Sequence, residues 1–244
     1  MTEALINVEN LSATFNDRAI LSQVSFSAFS GQVTIILGRS GCGKTTVLKH
    51  LIGLYPVQRG RITIARQNLG TLSESEQRVL ALQMGVLFQN GALLNSLTVA
   101  ENVAIPLQQH TDLPDDLVEE LVRLKLQLVE LSEAGHLYPA QISGGMRKRA
   151  ALARALALDP EILFFDEPSA GLDPVTLASL DELILKLKAQ LGMTIVLITH
   201  ELGSIHRLSD RVVFMDEGRV LFEGTLPEAK RAGVAEIDRF FART

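Results

Sequence analysis

The residues Gly38-Arg39-Ser40-Gly41-Cys42-Gly43-Lys44-Thr45-Thr46 follow the pattern G-x-x-x-x-G-K-[ST]. Residue types in that order suit a chain of phosphates. Backbone N–H groups of the loop wrap the phosphate oxygens, the lysine reaches the β and γ positions, and the hydroxyl after it ligates Mg2+. Glycines serve because the backbone curves tightly and needs unusual angles. A helix that opens at the end of the loop points its positive end at the anion. On this reading Gly38 to Thr46 cradle the phosphates, with Lys44 as the clamp and Thr45 as a ligand of Mg2+. The plain alternative is a glycine-rich turn that matches by chance. The apolar run before it, Gln32 to Leu37, and the helical pattern after it count against that. Cys42 reads most simply as a small residue that fits the loop. A helix N-terminus can also lower a thiol pKa, which would make the loop sensitive to thiol reagents.

A second cluster is Glu161-Ile162-Leu163-Phe164-Phe165-Asp166-Glu167, an apolar strand that ends in two acids. Unpaired charges at the end of a buried strand are costly, so two of them together call for a task. In enzymes with such a phosphate loop the strand-end Asp helps to hold Mg2+, and Asp166 takes that role. Glu167 would then stand near the γ-phosphate, where a carboxylate can polarise the attacking water; such assistance is worth about 10²–10⁴-fold. A helix cap or a surface acid pair is the bland alternative.

These residues need strands that end at one edge and helices that start there. Gln32 to Leu37, Gly85 to Phe88, Ile162 to Phe165 and Met193 to Thr199 are continuous apolar runs, the mark of strands buried on both faces. Ala4 to Glu9, Val24 to Phe29 and Arg61 to Ala65 read as further strands, and Arg211 to Met215 with Arg219 to Phe222 as a hairpin around Asp216-Glu217-Gly218. Helices are expected from Lys44 to Leu51, from Ser73 to Leu82 with a capping-box Glu76, and from Asp173-Pro174 to Leu191, which Gly192 ends. From Thr98 to Leu158 the pattern is helical throughout. It includes Asp115 to Leu131, with Leu117, Leu121, Leu124, Leu128 and Leu131 at spacings of three and four. This block interrupts the alternation of strand and helix and reads as an inserted helical subdomain in an α/β protein with a mostly parallel sheet.

The chain has 244 residues, 47% of them hydrophobic, so it can bury a sizeable core. Its formal net charge of -5 and the absence of a basic stripe argue against nucleic acid as a partner. No run approaches the roughly 18–20 apolar residues that span a bilayer. The first residues lack the pattern of a secretory signal, and the single cysteine excludes an intrachain disulfide.

Ile142-Ser143-Gly144-Gly145-Met146, followed by Arg147-Lys148-Arg149-Ala150-Ala151-Leu152-Ala153-Arg154-Ala155-Leu156, resembles the signature of ABC (ATP-binding cassette) proteins, usually LSGGQ. Physically, a serine and two glycines open a helix and offer a hydroxyl, N–H groups and a positive end to an anion. In the family that anion is the γ-phosphate held by the other subunit of a head-to-tail dimer. The resemblance covers essentially the whole chain. It implies that Ser143, Gly144 and Gly145 meet the partner's ATP. It further implies that Gln89 is the Q-loop residue touching Mg2+ or water, that Ser169 to Asp173 form the D-loop with Asp173 at the dimer interface, and that His200 is the switch residue at the γ-phosphate. Phe15 resembles the aromatic that stacks on adenine, although a lone aromatic in an early strand is more often core. Ile142 and Met146 depart from the usual Leu and Gln without removing a group the chemistry needs. Arg147 to Arg149 then read as a solvated helix face or as contacts near the nucleotide.

The resemblance implies a P-loop NTPase of the ABC-ATPase fold: a mostly parallel core sheet, an N-terminal antiparallel β subdomain and an inserted helical subdomain. As one nucleotide-binding domain over residues 1–244, it would place the core at 1–89 and 159–225, the helical signature subdomain at 90–158 and a short helical tail at 226–244. The tail, from Val234 to Phe241, reads as one short helix, without the regulatory domain of many sugar and methionine importer ATPases.

The segment Phe88 to Leu94, then Ser96 to Leu107, and the SGGM signature with its continuation are similar to the ATPases of Mla-type phospholipid transporters. That likeness implies an ATP-bound homodimer, integral permease subunits, an MCE-domain lipid carrier and a peripheral position on the cytoplasmic face of the inner membrane. Leu93, Leu94, Leu97 and Val99 would receive the permease's coupling helix, or else belong to the ordinary core of the subdomain. An ATPase of another ABC importer or exporter, and a soluble ABC ATPase of the iron–sulfur assembly type, remain alternatives.

Overall fold

The computed structural model describes residues 4–242. In chain order its regular elements are β1 (Ala4–Phe15), β2 (Arg18–Phe29), β3 (Val33–Gly38), α1 (Lys44–Leu51), β4 (Arg59–Ile64), β5 (Gln67–Asn68), α2 (Glu74–Ala81), β6 (Met84–Leu87), α3 (Val99–His110), α4 (Asp115–Leu128) and α5 (Gly144–Ala155). Then come β7 (Ile162–Asp166), α6 (Pro174–Leu191), β8 (Thr194–Ile198), α7 (Leu202–Leu208), β9 (Arg211–Asp216), β10 (Arg219–Gly224), α8 (Leu226–Arg231) and α9 (Ala235–Phe241). They form two compact units, residues 1–81 with 194–244, and residues 82–193.

In the first unit β3 lies parallel to β8 and to β9, and β10 returns antiparallel to β9. Every residue of β3 and β8 is buried, which is why both read as unbroken apolar runs. A second, antiparallel sheet has the order β2-β1-β4-β5. Its first two strands are twice as long as the sequence suggests. Ile6 and Val8 point inward, then Leu11 and Ala13. The change of phase falls where Asn10 takes φ 50 and the register of β1 slips. Such a bulge inserts one residue and shifts the alternation, so each strand reads as ending halfway. Asn16 and Asp17, at φ 48 and 60, make the tight turn between the two strands. The helix expected from Val234 to Phe241 is α9, and a further helix, α8, precedes it, opening with a capping box between Thr225 and Glu228.

In the second unit β6 and β7 run parallel, with Leu87 opposite Phe165. Helices α3, α4 and α5 follow β6, and α6 follows β7. The inward face of α4 differs from the leucine stripe of the sequence. Val118, Val122, Lys125 and Leu126 are buried, whereas Leu124 is 47% exposed. Lys125 is stabilised by Asp159 at 2.5 Å. This helix carries two apolar stripes, and only packing against α3 and α5 selects between them.

Candidate nucleotide site

The first unit carries the phosphate loop. Gly38 ends β3 opposite Met215 of β9. A Cβ there would lie 2.0 Å from the Met215 carbonyl oxygen, and φ is +147, so glycine is obligatory. Gly43, at φ 103, is the N-cap of α1, and no side chain caps that helix. The first turn of such a helix points its amides toward an anion. Lys44 is only 7% exposed and curls back to donate to the carbonyls of Gly38 at 2.9 Å and Arg39 at 3.1 Å. Its ammonium is thus held over the concave face of the loop, where phosphate oxygens fit. Cys42 is buried, and burial pushes its thiol up despite the neighbouring Lys44. The shift is opposite to the lowering considered from sequence, because desolvation exceeds the pull of the Lys44 charge and of the loop amides. Arg39, Ser40, Gly41 and Thr45 are exposed along the loop, and Thr46 is half-buried.

His200 sits two residues past Ile198, which pairs with Ile36 of β3. The register thus brings His200 level with Gly38 at the carboxyl end of the strands, the usual ligand edge of a parallel sheet. The imidazole is more than half exposed, with Nε2 3.7 Å from a Glu201 carboxylate oxygen. Phe15 is half-buried and tilted on Tyr55, ring centroids 5.0 Å apart.

The second unit carries the acids and the signature. Gln89 follows β6 and Asp166-Glu167 end β7, and the register of these parallel strands sets them at the same edge. Gln89 is exposed; Asp166 and Glu167 are half-buried. Glu167 takes φ 49, an uncommon angle for a residue with a Cβ. Ser143 is the N-cap of α5, its hydroxyl accepting from the Met146 N–H at 3.2 Å. Gly144 has room nearby, but a Cβ on Gly145 would stand 2.5 Å from Cγ2 of Thr176 on α6. Asp173 caps α6, accepting from the N–H groups of Val175 and Thr176, both at 3.0 Å. The Thr176 hydroxyl and these amides hold its carboxyl below the usual range.

Three positioning residues escape a reading by motif. Asn102 is fully buried on α3. Its amide bonds the N–H and carbonyl of Leu94 at 2.7 and 3.0 Å and the carbonyls of Leu97 and Thr98 at 3.2 and 2.9 Å. It thereby folds the segment after Gln89. Within that segment Leu94 is 50% exposed while Val99 is core, so these leucines and valine do not form one surface. Lys148 and Arg154 of α5 bond the same stretch of main chain. Of Arg147 to Arg149 only Arg147 is a solvated residue: Lys148 is buried, and Arg149 is half-buried and pairs with Glu130. Asn102 and the two cations lie in ordinary helical pattern, and nothing in it distinguishes a polar peg from a surface residue.

A strand–glycine loop–helix with an uncapped first turn, a strand that ends in two acids and a serine-capped helix define an ATP-binding cassette. A family model described as ABC transporter matches residues 21–170; the chain belongs to that family and is its ATP-hydrolysing cassette. It is 38% identical over 225 residues to the intermembrane phospholipid transport system ATP-binding protein MlaF of Haemophilus influenzae, covering 92% of this chain and 85% of that protein. It is 42% identical over 207 residues to the probable ribonucleotide transport ATP-binding protein mkl of Mycobacterium leprae, covering 85% of this chain and 60% of that one. Among solved structures, the ATP-binding cassette MJ0796, a dimer in a post-hydrolysis state with ADP and Pi, matches with a TM-score of 0.82 at 28% identity, over 91% of this chain and 98% of that chain.

Proposed function

We propose that this chain is the ATPase of a phospholipid transporter of the Mla type. It would work as a homodimer on the cytoplasmic face of the inner membrane, with an integral permease and an MCE-domain lipid carrier. The observation that carries this reading is the 38% identity to MlaF across 92% of the chain. The SGGM signature and the segment from Phe88 to Leu107 add to it. No helix among the described residues is long and apolar enough to cross a membrane, and in this reading the permease supplies the membrane contact.

The roles follow from the chemistry of each group. The amides of Arg39 to Thr46 and the ammonium of Lys44 bind the phosphates of ATP, and Phe15 stacks on the adenine. Thr45, Gln89 and Asp166 hold Mg2+, which neutralises phosphate charge when bound; a hydroxyl, an amide and a carboxylate are the hard oxygen donors that this ion takes. Glu167 accepts a proton from the attacking water, and His200 donates to the γ-phosphate. Ser143, Gly144 and Gly145 contact the ATP of the partner subunit, with Asp173 beside that interface. The dimeric, ADP- and Pi-bound cassette at TM-score 0.82 supports this assembly.

The test is a tagged pull-down from detergent-solubilised membranes, with proteins and lipids identified by mass spectrometry. A permease with an MCE-domain protein and phospholipid is expected. A different permease, with nucleotide as cargo, would favour the ribonucleotide reading that the mkl relative's name suggests. Soluble partners alone would overturn the transport role and leave the ATPase standing.

A further inference from the structure

Helix α5 presents one face to the loop that carries Gln89. Lys148 donates from Nζ to the Gln89 carbonyl. Arg154 donates from its two Nη atoms to the carbonyls of Gly91 at 2.8 Å and Ala92 at 2.7 Å. Ala151 lies midway between them in sequence, and its methyl group would stand 3.3 Å from a Cβ on Gly91. The loop thus rests directly on the helix, with a cation at either end of the contact. Its own shape is a turn closed by the Gly91 N–H on the Phe88 carbonyl at 2.7 Å, followed by φ angles of 72 at Gly91 and 50 at Ala92. No strand ladder holds it.

Lys148 is 5% exposed. Among the described residues, neither Lys148 nor Arg154 makes an ion pair, and the three loop carbonyls are their hydrogen-bond acceptors. Burial pushes both groups below their ordinary values. Burying a cation without a counter-ion is costly, and a methionine would fill the same space at less cost. What a cation adds is a directed, charge-assisted bond to carbonyl oxygen, roughly twice as strong as a neutral one. Two such residues aimed at three carbonyls of one loop define where that loop can be.

We propose that Lys148 and Arg154 are positioning residues that lock the main chain of Gln89 to the helix opened by Ser143, so that the Q-loop and the signature move as one body. The inference rests on the reading of Gln89 as a group that acts at the nucleotide. It makes the loop that meets one ATP and the serine that meets the partner's ATP a single lever, connecting the two sites of the dimer through each subunit.

The experiment measures Mg-ATP hydrolysis by the purified full-length chain in a double-mutant cycle of Lys148→Met and Gln89→Ala. Displacing a catalytic group by about 1 Å can cost up to about 10²-fold, so Lys148→Met is expected to lower kcat by about 10-fold or more. The KM for ATP should stay within about 2-fold, since the phosphate loop is untouched, and Lys148→Arg should restore most of kcat. In the Gln89→Ala background Lys148→Met is expected to cost less than about 2-fold further, because residues that act through one another are not additive. Losses that multiply in the double variant would overturn the proposal, as would a slow Gln89→Ala beside a wild-type Lys148→Met. A wild-type rate in Gln89→Ala would remove the role of Gln89 and this proposal with it, while leaving the phosphate loop and Glu167 assignments intact. Should Lys148→Met fail to fold, Arg154→Lys enters the same cycle. It keeps the charge but can serve only one of its two carbonyls, and the same two results decide.

Discussion

Glu167 and Gly38 show how a single residue is constrained by chemistry in one case and by space in the other. Replacing Glu167 by Gln keeps the shape of the side chain and removes the proton acceptor. Hydrolysis should fall by about 10²–10⁴-fold, while ATP still binds and accumulates a closed dimer. A coupled phosphate assay with size-exclusion chromatography checks both parts, and normal turnover would sink the role. Lys44→Ala should instead fail at binding, since the ammonium is the cation that leans over the loop; fluorescent ATP titration reads that directly. Gly38→Ala should cost about 3 kcal/mol or more, because its new methyl would meet the Met215 carbonyl at 2.0 Å, a backbone group that cannot swing aside. Chemical denaturation of the variant measures it.

At the scale of elements, the glycine of the signature has a packing reason as well as a proposed chemical one. Gly145 lets α5 approach α6 at Thr176, where a Cβ would come within 2.5 Å of Cγ2. Gly145→Ala should therefore cost about 1–3 kcal/mol. Adding Thr176→Ser, which removes that methyl and keeps the hydroxyl bonded to Asp173, should restore most of the stability. No recovery would place the strain elsewhere. Asn102 is the corresponding peg for the segment after Gln89. Asn102→Ala strands the Leu94 N–H and the carbonyls around it, at about 1–3 kcal/mol. A lowered urea midpoint with an unchanged slope is the expected result.

Across the molecule the acids at helix ends contribute to its response to pH. Glu76, Glu101 and Glu228 are held below the ordinary carboxylate range by the capping residues Ser73, Thr98 and Thr225. Asp173 is held down by Thr176, and Glu130 by Arg149. A carboxyl whose pKa is lower folded than unfolded contributes stability that is fully present above its unfolded value, about 4, and lost as pH falls through the folded value. Thermal midpoints should therefore hold down to about pH 5 and decline below about pH 4. The triple variant Glu76→Gln, Glu101→Gln, Glu228→Gln should start lower and decline less steeply; an identical acid profile would refute the assignment.

By itself the sequence determined what needs only local spacing. The loop from Gly38 to Thr46, the acids after Ile162 to Phe165, the serine that opens α5 and the buried strands are written as consecutive residues. Consecutive residues control backbone angles, hydrogen-bonding groups and the period of apolar side chains. Tertiary structure decided what depends on a neighbour far along the chain. It chose Val118 and Val122 over Leu117 and Leu124 as the inner face of α4. It drove Cys42 toward a neutral thiol by surrounding it, and it set the buried Lys148 and the half-buried Arg154 against loop carbonyls. Burial and its electrostatic cost belong to the environment of a side chain, and that environment exists only once the elements have packed.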